Sequence, residues 1–273
     1  MKTIPLYQVD VFAAKLFAGN PAAVCPLKEW LPDETMQAIA AENNLAETAF
    51  FVPDPGEEAD YVLRWFTPTV EIELCGHATL ASGHVVLGEL GIAAESNTVR
   101  FRTLRAGVLT VELRDGALWL DLPARVPQPL TGAAPEILSA ALGAKPVTLL
   151  EAGNKYFAVF GGAADIAALK PDFAALRTLK DKGVVVTAPG RRQDEDFVSR
   201  FFAPAMGVDE DPVTGSAHCL LVPYWAQRLG RERLKAVQLS VRGGRLDCEL
   251  RNGRVWLSGA VVPYLRGEIS IPD

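Results

Sequence analysis

The chain repeats itself, and the repeat limits what it can fold into. RWFTP (64–68) returns as RFFAP (200–204), an offset of 136 positions in a chain of 273. AGNPAAV (18–24) is echoed by AGNKYFAV (152–159) at an offset of 134. After each Arg-aromatic motif comes a loop, a glycine and an apolar segment ending in Leu-Gly. Gly76 precedes Gly91 by 15 positions, and Gly215 precedes Gly230 by 15. Three landmarks in one order at a nearly constant spacing indicate a duplicated unit.

Each copy combines strand patterns with one long apolar helix. VLTVELRDGALWLDL alternates apolar and polar residues around Asp115-Gly116, the signature of a tight hairpin. VQLSVRGGRLDCELRNGRVWLSG does the same around Gly243-Gly244 and Asn252-Gly253. PDETMQAIAAENN reads as a helix with Asp33 as its cap, and PEILSAALG and DFAALRTL as short helices. ATLASGHVVLGELG and AHCLLVPYWAQRLG are apolar almost all round, as buried helices are. The expected class is α+β, with two pseudo-symmetric halves. Each half is a curved, mostly antiparallel, barrel-like sheet around a central buried helix. The first half is expected over 1–126, with its helix near 77–90. The second is expected over 127–273, with its helix near 216–229, and the strand near 260–273 is placed to return to the first half. Two sheets with helices packed outside are the plainer alternative.

Both helices start at a glycine among small polar residues: ELCGHAT and EDPVTGSAH. The first N–H groups of a helix lack partners and the dipole adds partial positive charge, so each start suits an anion. Taken singly, either is explained by capping, with Thr214 or Ser216 as the N-cap. Taken as a pair, they suit the carboxylate of a small acid in a cleft between the halves. Asp211 just before the second helix either complements the dipole or serves as an acid/base. Glu47, in NNLAETAFF, lies between an apolar helix end and an apolar strand. Burial there would raise its pKa towards the range useful for proton transfer. An exposed turn glutamate fits the same stretch. His77 follows Gly76, and a helix N-terminus favours its neutral imidazole. His84 reads as a core histidine, and His218 as a secondary candidate for lining the cleft. Cys75 precedes the first helix, where a thiol can have a depressed pKa and act as a base. The matching stretch of the second copy, Pro212-Val213-Thr214, supplies no partner thiol.

Other classes find little support. The net charge is −6 with no basic block, which argues against nucleic acid and anionic membranes. No apolar run reaches the roughly 18 residues of a membrane span, and the N-terminus lacks the form of a signal peptide. The four cysteines are scattered, as free thiols of a cytoplasmic protein would be. Three histidines make a His-rich metal site improbable, and no nucleotide or flavin motif occurs. Cofactor-free proton transfer fits what is left.

VDVFAAKLFAGNPAAV, NNLAETAFF, RWFTPTVEIELCGHAT and RFFAPAMGVDEDPVTGSA together resemble the PhzF-like, phenazine-biosynthesis-like proteins. The resemblance runs over nearly the whole chain. It implies a fold similar to that of diaminopimelate epimerase, a cofactor-independent isomerase and a homodimer. It assigns proton movement across an allylic system to Glu47, assisted by His77 and Asp211. It places Gly76 and Ser216 along the substrate pocket. Gly215, Asn20 and Thr214 are further candidates to bind a small anionic substrate, and no metal is expected. A thiol-based racemase using Cys75 and a non-catalytic small-acid binder are the alternatives.

Overall fold

The structure, a computed structural model, describes residues 2–91, 96–133, 135–179 and 182–272. It is α+β and divides into two compact units, 1–122 with 256–273 and 123–255. The dividing points therefore lie at 122/123 and 255/256, where a 126/127 boundary and a returning strand near 260–273 were expected.

In the N-terminal unit, β1 (Lys2–Val11) pairs antiparallel with β2 (Asn20–Pro26) and, along its whole length, with the C-terminal strand Val261–Ile271. β2 runs parallel to β3 (Glu47–Pro53), and α1 (Asp33–Asn43) makes the crossover that a parallel pair requires. β3 pairs antiparallel with β4 (Tyr61–Phe66). β4 then has two partners: the short β5 (Glu71–Ile72), antiparallel, and β6 (Thr98–Thr103), parallel. Between β5 and β6 lies α2 (Gly76–His84), which continues as a π-turn through Val85–Glu89. β7 (Val108–Arg114) and β8 (Ala117–Pro123) close the run as a hairpin. Its turn residues Asp115 and Gly116 have φ of 53° and 78°, the left-handed pair of a type I′ turn.

The two faces of this sheet bury different helices. Met36, Ile39 and Ala40 of α1 pack with Phe50, Val52 and Phe66. Gly76 through Gly83 of α2 are all buried, and the helix packs on β1, β2, β3 and β7. Asp33 does not cap α1. It is the first helical residue, and its carboxylate lies 2.8 Å from Arg64.

In the C-terminal unit, β9 (Gln128–Pro129) and β10 (Thr148–Ala152) pair antiparallel, with α3 (Glu136–Leu142) between them. β10 pairs antiparallel with β11 (Lys155–Val159), and β11 runs parallel to β12 (Gly183–Pro189) across a crossover holding α4 (Ala163–Ala168) and α5 (Phe173–Leu176). β12 is antiparallel to β13 (Phe197–Ala203). β13 takes the short β14 (Val208–Glu210) antiparallel and β15 (Arg233–Gln238) parallel, with α6 (Gly215–Leu229) between them in sequence. β15 and β16 (Gly244–Arg251) form the next antiparallel pair. One face carries the cluster of Leu142, Ile166, Val184, Val186 and Phe202. On α6, Trp225 stacks on Phe197 at 5.9 Å and donates its indole N–H to Thr187 Oγ1 at 2.9 Å.

The repeated arginine does the same work in each unit. On β4, Arg64 forks onto both Glu71 carboxylate oxygens at 2.7 and 2.8 Å. On β13, Arg200 forks onto Glu210 at 2.7 and 2.9 Å. Both guanidinium groups are nearly buried, where bidentate pairing is strongest. Glu71 and Glu210 each stand five residues before the first glycine of the following helix. Each clasp thus anchors the loop that delivers a helix start. Glu210, next to Asp211 in sequence, is taken up by this clasp.

Candidate active site

In the N-terminal unit, three expected residues converge on one imidazole. Asn20 begins β2, Glu47 begins β3, and the parallel register sets Ala22 opposite Glu47, so both side chains emerge at the same end of the sheet. His77 is the second residue of α2 and only 3% exposed. Its Nε2 lies 3.1 Å from Glu47 Oε2, close in distance though not aligned as a hydrogen bond. Its Nδ1 lies 3.2 Å from the Asn20 amide nitrogen and 3.5 Å from Cys75 Sγ. The ring is therefore held from behind by the Asn20 amide N–H, which donates to an unprotonated Nδ1, and by the Cys75 sulfur, which accepts from a protonated one. Nδ1 is satisfied whether or not it bears a proton. Glu47, with 15% of its side chain exposed, is the member of the set that meets solvent.

The electrostatics overturn two expectations. His77 is raised well above its ordinary value. Burial opposes its charge, but Cys75 and Glu47 together outweigh burial. The dipole argument for a neutral imidazole fails because a carboxylate sits against the ring. Cys75 is pushed up to about 11 by burial, with the charge of Glu47 adding to it. A depressed, basic thiol is thus not what the helix start provides.

Donor atoms of Glu47, Cys75 and His77 lie within 4.8 Å of one another, a set that could in principle hold a metal ion. The ring geometry does not favour chelation, because Cys75 meets Nδ1 while Glu47 meets Nε2. A chain running Cys75–His77–Glu47 suits proton relay better.

In the C-terminal unit, the second group of expected residues is tied together locally. The Thr214 hydroxyl donates to Asp211 Oδ2 at 2.5 Å instead of capping α6. Gln238, fully buried at the end of β15, accepts from the Thr214 N–H at 3.0 Å and donates to the Asp211 carbonyl at 2.8 Å. Ser240 adds a bond to the Pro212 carbonyl at 2.7 Å. Gln238 was not anticipated; its only signal was an amide inside the apolar strand AVQLS. Asp211 thus has a defined local partner. Gly215 is buried and Ser216 half-buried at the first turn of α6. Asp209 lies 3.0 Å from Arg177 at the surface.

His218 does not line an opening. It is fully buried, with Nδ1 2.8 Å from the Thr214 carbonyl, so Nδ1 carries the proton and donates. Burial lowers it to about 4 from an ordinary 6.5. A group depressed on folding contributes stability above its unfolded value and loses it as pH falls through the folded one. Acidification from pH 6.5 towards 4 is therefore expected to remove about 3 kcal/mol through this residue. Urea midpoints across that range should show a slope that shrinks in His218→Gln; an unchanged slope would contradict the assignment.

The geometry can be set beside known proteins. Residues 9–267 match the PhzC-PhzF family, described as phenazine biosynthesis-like protein. An uncharacterized isomerase of Pseudomonas aeruginosa is 51% identical over 268 residues, covering 98% of this chain and 99% of that protein. The crystal structure of a PhzF-family phenazine biosynthesis protein from Enterococcus faecalis is 42% identical, with a TM-score of 0.89 over 99% of this chain and all of that one. A hydroxyproline epimerase from Agrobacterium vitis, at 11% identity and a TM-score of 0.61 over 99% of this chain and 93% of that one, shares the fold. The chain belongs to the PhzC-PhzF family, and its relatives' names make it an isomerase.

Proposed function

We propose that the protein is a cofactor-independent isomerase that moves a proton within a small carboxylate-bearing substrate, with Glu47 as base and then acid. The observation that carries this is the contact between Glu47 and a buried His77 whose other nitrogen is already engaged. In the step envisaged, a Glu47 oxygen takes a proton from an acidified carbon of the substrate. The C–H electron pair moves into the adjoining π-system. The same carboxyl then returns the proton to the far end of that system, leaving Glu47 ionised and the substrate isomerised. His77 faces Glu47 through Nε2 at 3.1 Å, and so orients the carboxyl before and after the transfer. The N–H groups at the start of α2 suit a substrate carboxylate. The roles of Asp211 and Ser216 in the same reaction are carried by the family resemblance, as is a homodimeric state, and the Gly215 N–H at the start of α6 is a further candidate donor to the substrate carboxylate. The matching Arg–Glu clasps and the matching strand pairings support a duplicated origin for the two units.

A thiol-based racemase is the second reading, since Cys75 touches His77. Its elevated pKa and the Thr214 at the matching position of the other unit favour Glu47 instead. The test is a pool of small carboxylic acids incubated with the enzyme in heavy water and scanned for deuterium uptake. Uptake is expected into one acid, and Cys75→Ala should retain it within about tenfold, since it loses only a weak contact to the ring. Complete loss in Cys75→Ala, with the protein still folded, would move the base to the thiol.

A further inference from the structure

A buried amide must find partners for its donors and acceptor inside the protein. Gln238, at the end of β15, is fully buried and turns its amide onto one loop. Its Oε1 accepts from the Thr214 N–H at 3.0 Å. Its Nε2 donates to the Asp211 carbonyl at 2.8 Å and to Thr214 Oγ1 at 3.1 Å. A backbone N–H only donates and a carbonyl only accepts, so these partners fix which way the amide points. The other unit lacks the arrangement. Thr103 stands opposite Leu63 on β4 as Gln238 stands opposite Ser199 on β13. Its hydroxyl turns back into its own hairpin, donating to the Gly107 carbonyl at 2.9 Å and accepting from the Ala106 N–H at 2.8 Å. The reach of a glutamine from this strand end to a helix start is thus a departure from the repeat.

Gln238 decides where the Thr214 hydroxyl goes. Thr214 stands at the N-cap of α6 in extended backbone, φ −112° and ψ 103°. A threonine oxygen there ordinarily accepts an N–H of the first turn. It makes no such bond, and the hydroxyl donates to Asp211 Oδ2 at 2.5 Å. The Thr214 backbone is pinned on both sides, its N–H on Gln238 and its carbonyl under His218 Nδ1 at 2.8 Å. Rotation about χ1 is the freedom left, and the Gln238 amide holds Oγ1 on the side facing Asp211. The neighbouring acids are engaged elsewhere, Asp209 with Arg177 at 3.0 Å and Glu210 in the Arg200 clasp.

We propose that Gln238 is a positioning residue, which turns the Thr214 hydroxyl from the helix cap onto Asp211 and so fixes the direction in which that carboxylate is presented. A part for Asp211 in proton transfer rests on the isomerase reading; the chain from Gln238 through Thr214 to Asp211 does not. Carboxyl carbon-13 NMR titration of Asp211 in the free protein tests that chain without any substrate. A hydrogen bond donated to a carboxylate favours its charged form, so losing the donor raises the midpoint. In Gln238→Met the Asp211 midpoint should rise by about one to two pH units, the effect of losing one hydrogen bond to a charged group. Thr214→Val should give a similar rise, and the double variant no more than the larger single one. A folded Gln238→Met in which Asp211 titrates as in the wild type would overturn the assignment and leave Gln238 as packing alone. The wild type decides the case where Gln238→Met does not fold. There the Thr214 hydroxyl proton should be protected from exchange and show a cross-peak to the Gln238 side-chain amide, and its absence would break the chain. In the deuterium-uptake assay both single variants should slow exchange about tenfold to a hundredfold. Wild-type uptake in a variant whose Asp211 midpoint has moved would keep Gln238 as the orienting residue and remove Asp211 from the reaction.

Discussion

Glu47→Gln is expected to lower turnover by about 10²–10⁴-fold, the usual contribution of a positioned general base. The amide has nearly the same shape, so the start of β3 and its pairing with β2 and β4 should survive. Two consequences separate this outcome from simple unfolding. Deuterium uptake should vanish while circular dichroism and the urea midpoint stay near wild type. His77 should also become less basic, because the carboxylate at 3.1 Å disappears while burial of the ring remains. Imidazole NMR resonances would report that shift without any substrate. The chain holds only three histidines, and His84 and His218 lie elsewhere on α2 and α6. If turnover survives the substitution, Glu47 is not the base. If turnover is lost but His77 does not move, the contact between the two side chains is wrong.

The α+β class could be read from the chain because its cues are local or periodic. The left-handed turn at Asp115-Gly116, the two glycine-led helices and the 136-residue offset all leave marks in a short window. The site was legible only in part. Glu47 and His77 stand 30 positions apart, and their contact depends on a parallel strand register and a helix start that no local pattern encodes. The apolar frame of NNLAETAFF offers Glu47 as a candidate beside an exposed-turn reading, and the family resemblance is what favours the first. His77 and Cys75 were found as residues but misjudged in charge. The helix dipole, visible in sequence, is a modest effect. An adjacent carboxylate and near-complete burial are stronger, and they appear only in three dimensions. The clasps show the opposite case. Their arginines lay in the repeated motif and their glutamates five residues before each glycine, yet the pairing of β4 with β5 and of β13 with β14 was needed to join them.

The same dependence on backbone path makes Gly19 the most sensitive small residue of the N-terminal unit. It adopts φ of +66°, the left-handed region that costs an L-residue roughly 1–2 kcal/mol. A Cβ built there would stand 2.1 Å from the Val11 carbonyl oxygen and 2.8 Å from Ala13 Cβ. The first of these is backbone at the end of β1, fixed by its pairing with both β2 and the C-terminal strand. It cannot yield as a flexible side chain would, so overpacking adds a further 1–3 kcal/mol or so. Gly19→Ala is therefore expected to cost about 2–5 kcal/mol, read from the urea midpoint. Its reach is functional as well, because the next residue is Asn20, whose amide meets His77 Nδ1 at 3.2 Å. Relieving the clash must displace β1 or the start of β2, and the second displacement loosens the imidazole from behind. Asn20→Ala, which leaves the turn intact, should reproduce the change in the His77 resonances with a much smaller loss of stability. A Gly19→Ala protein with a wild-type midpoint would show that the turn has room, and that the close approach to Val11 does not govern this corner.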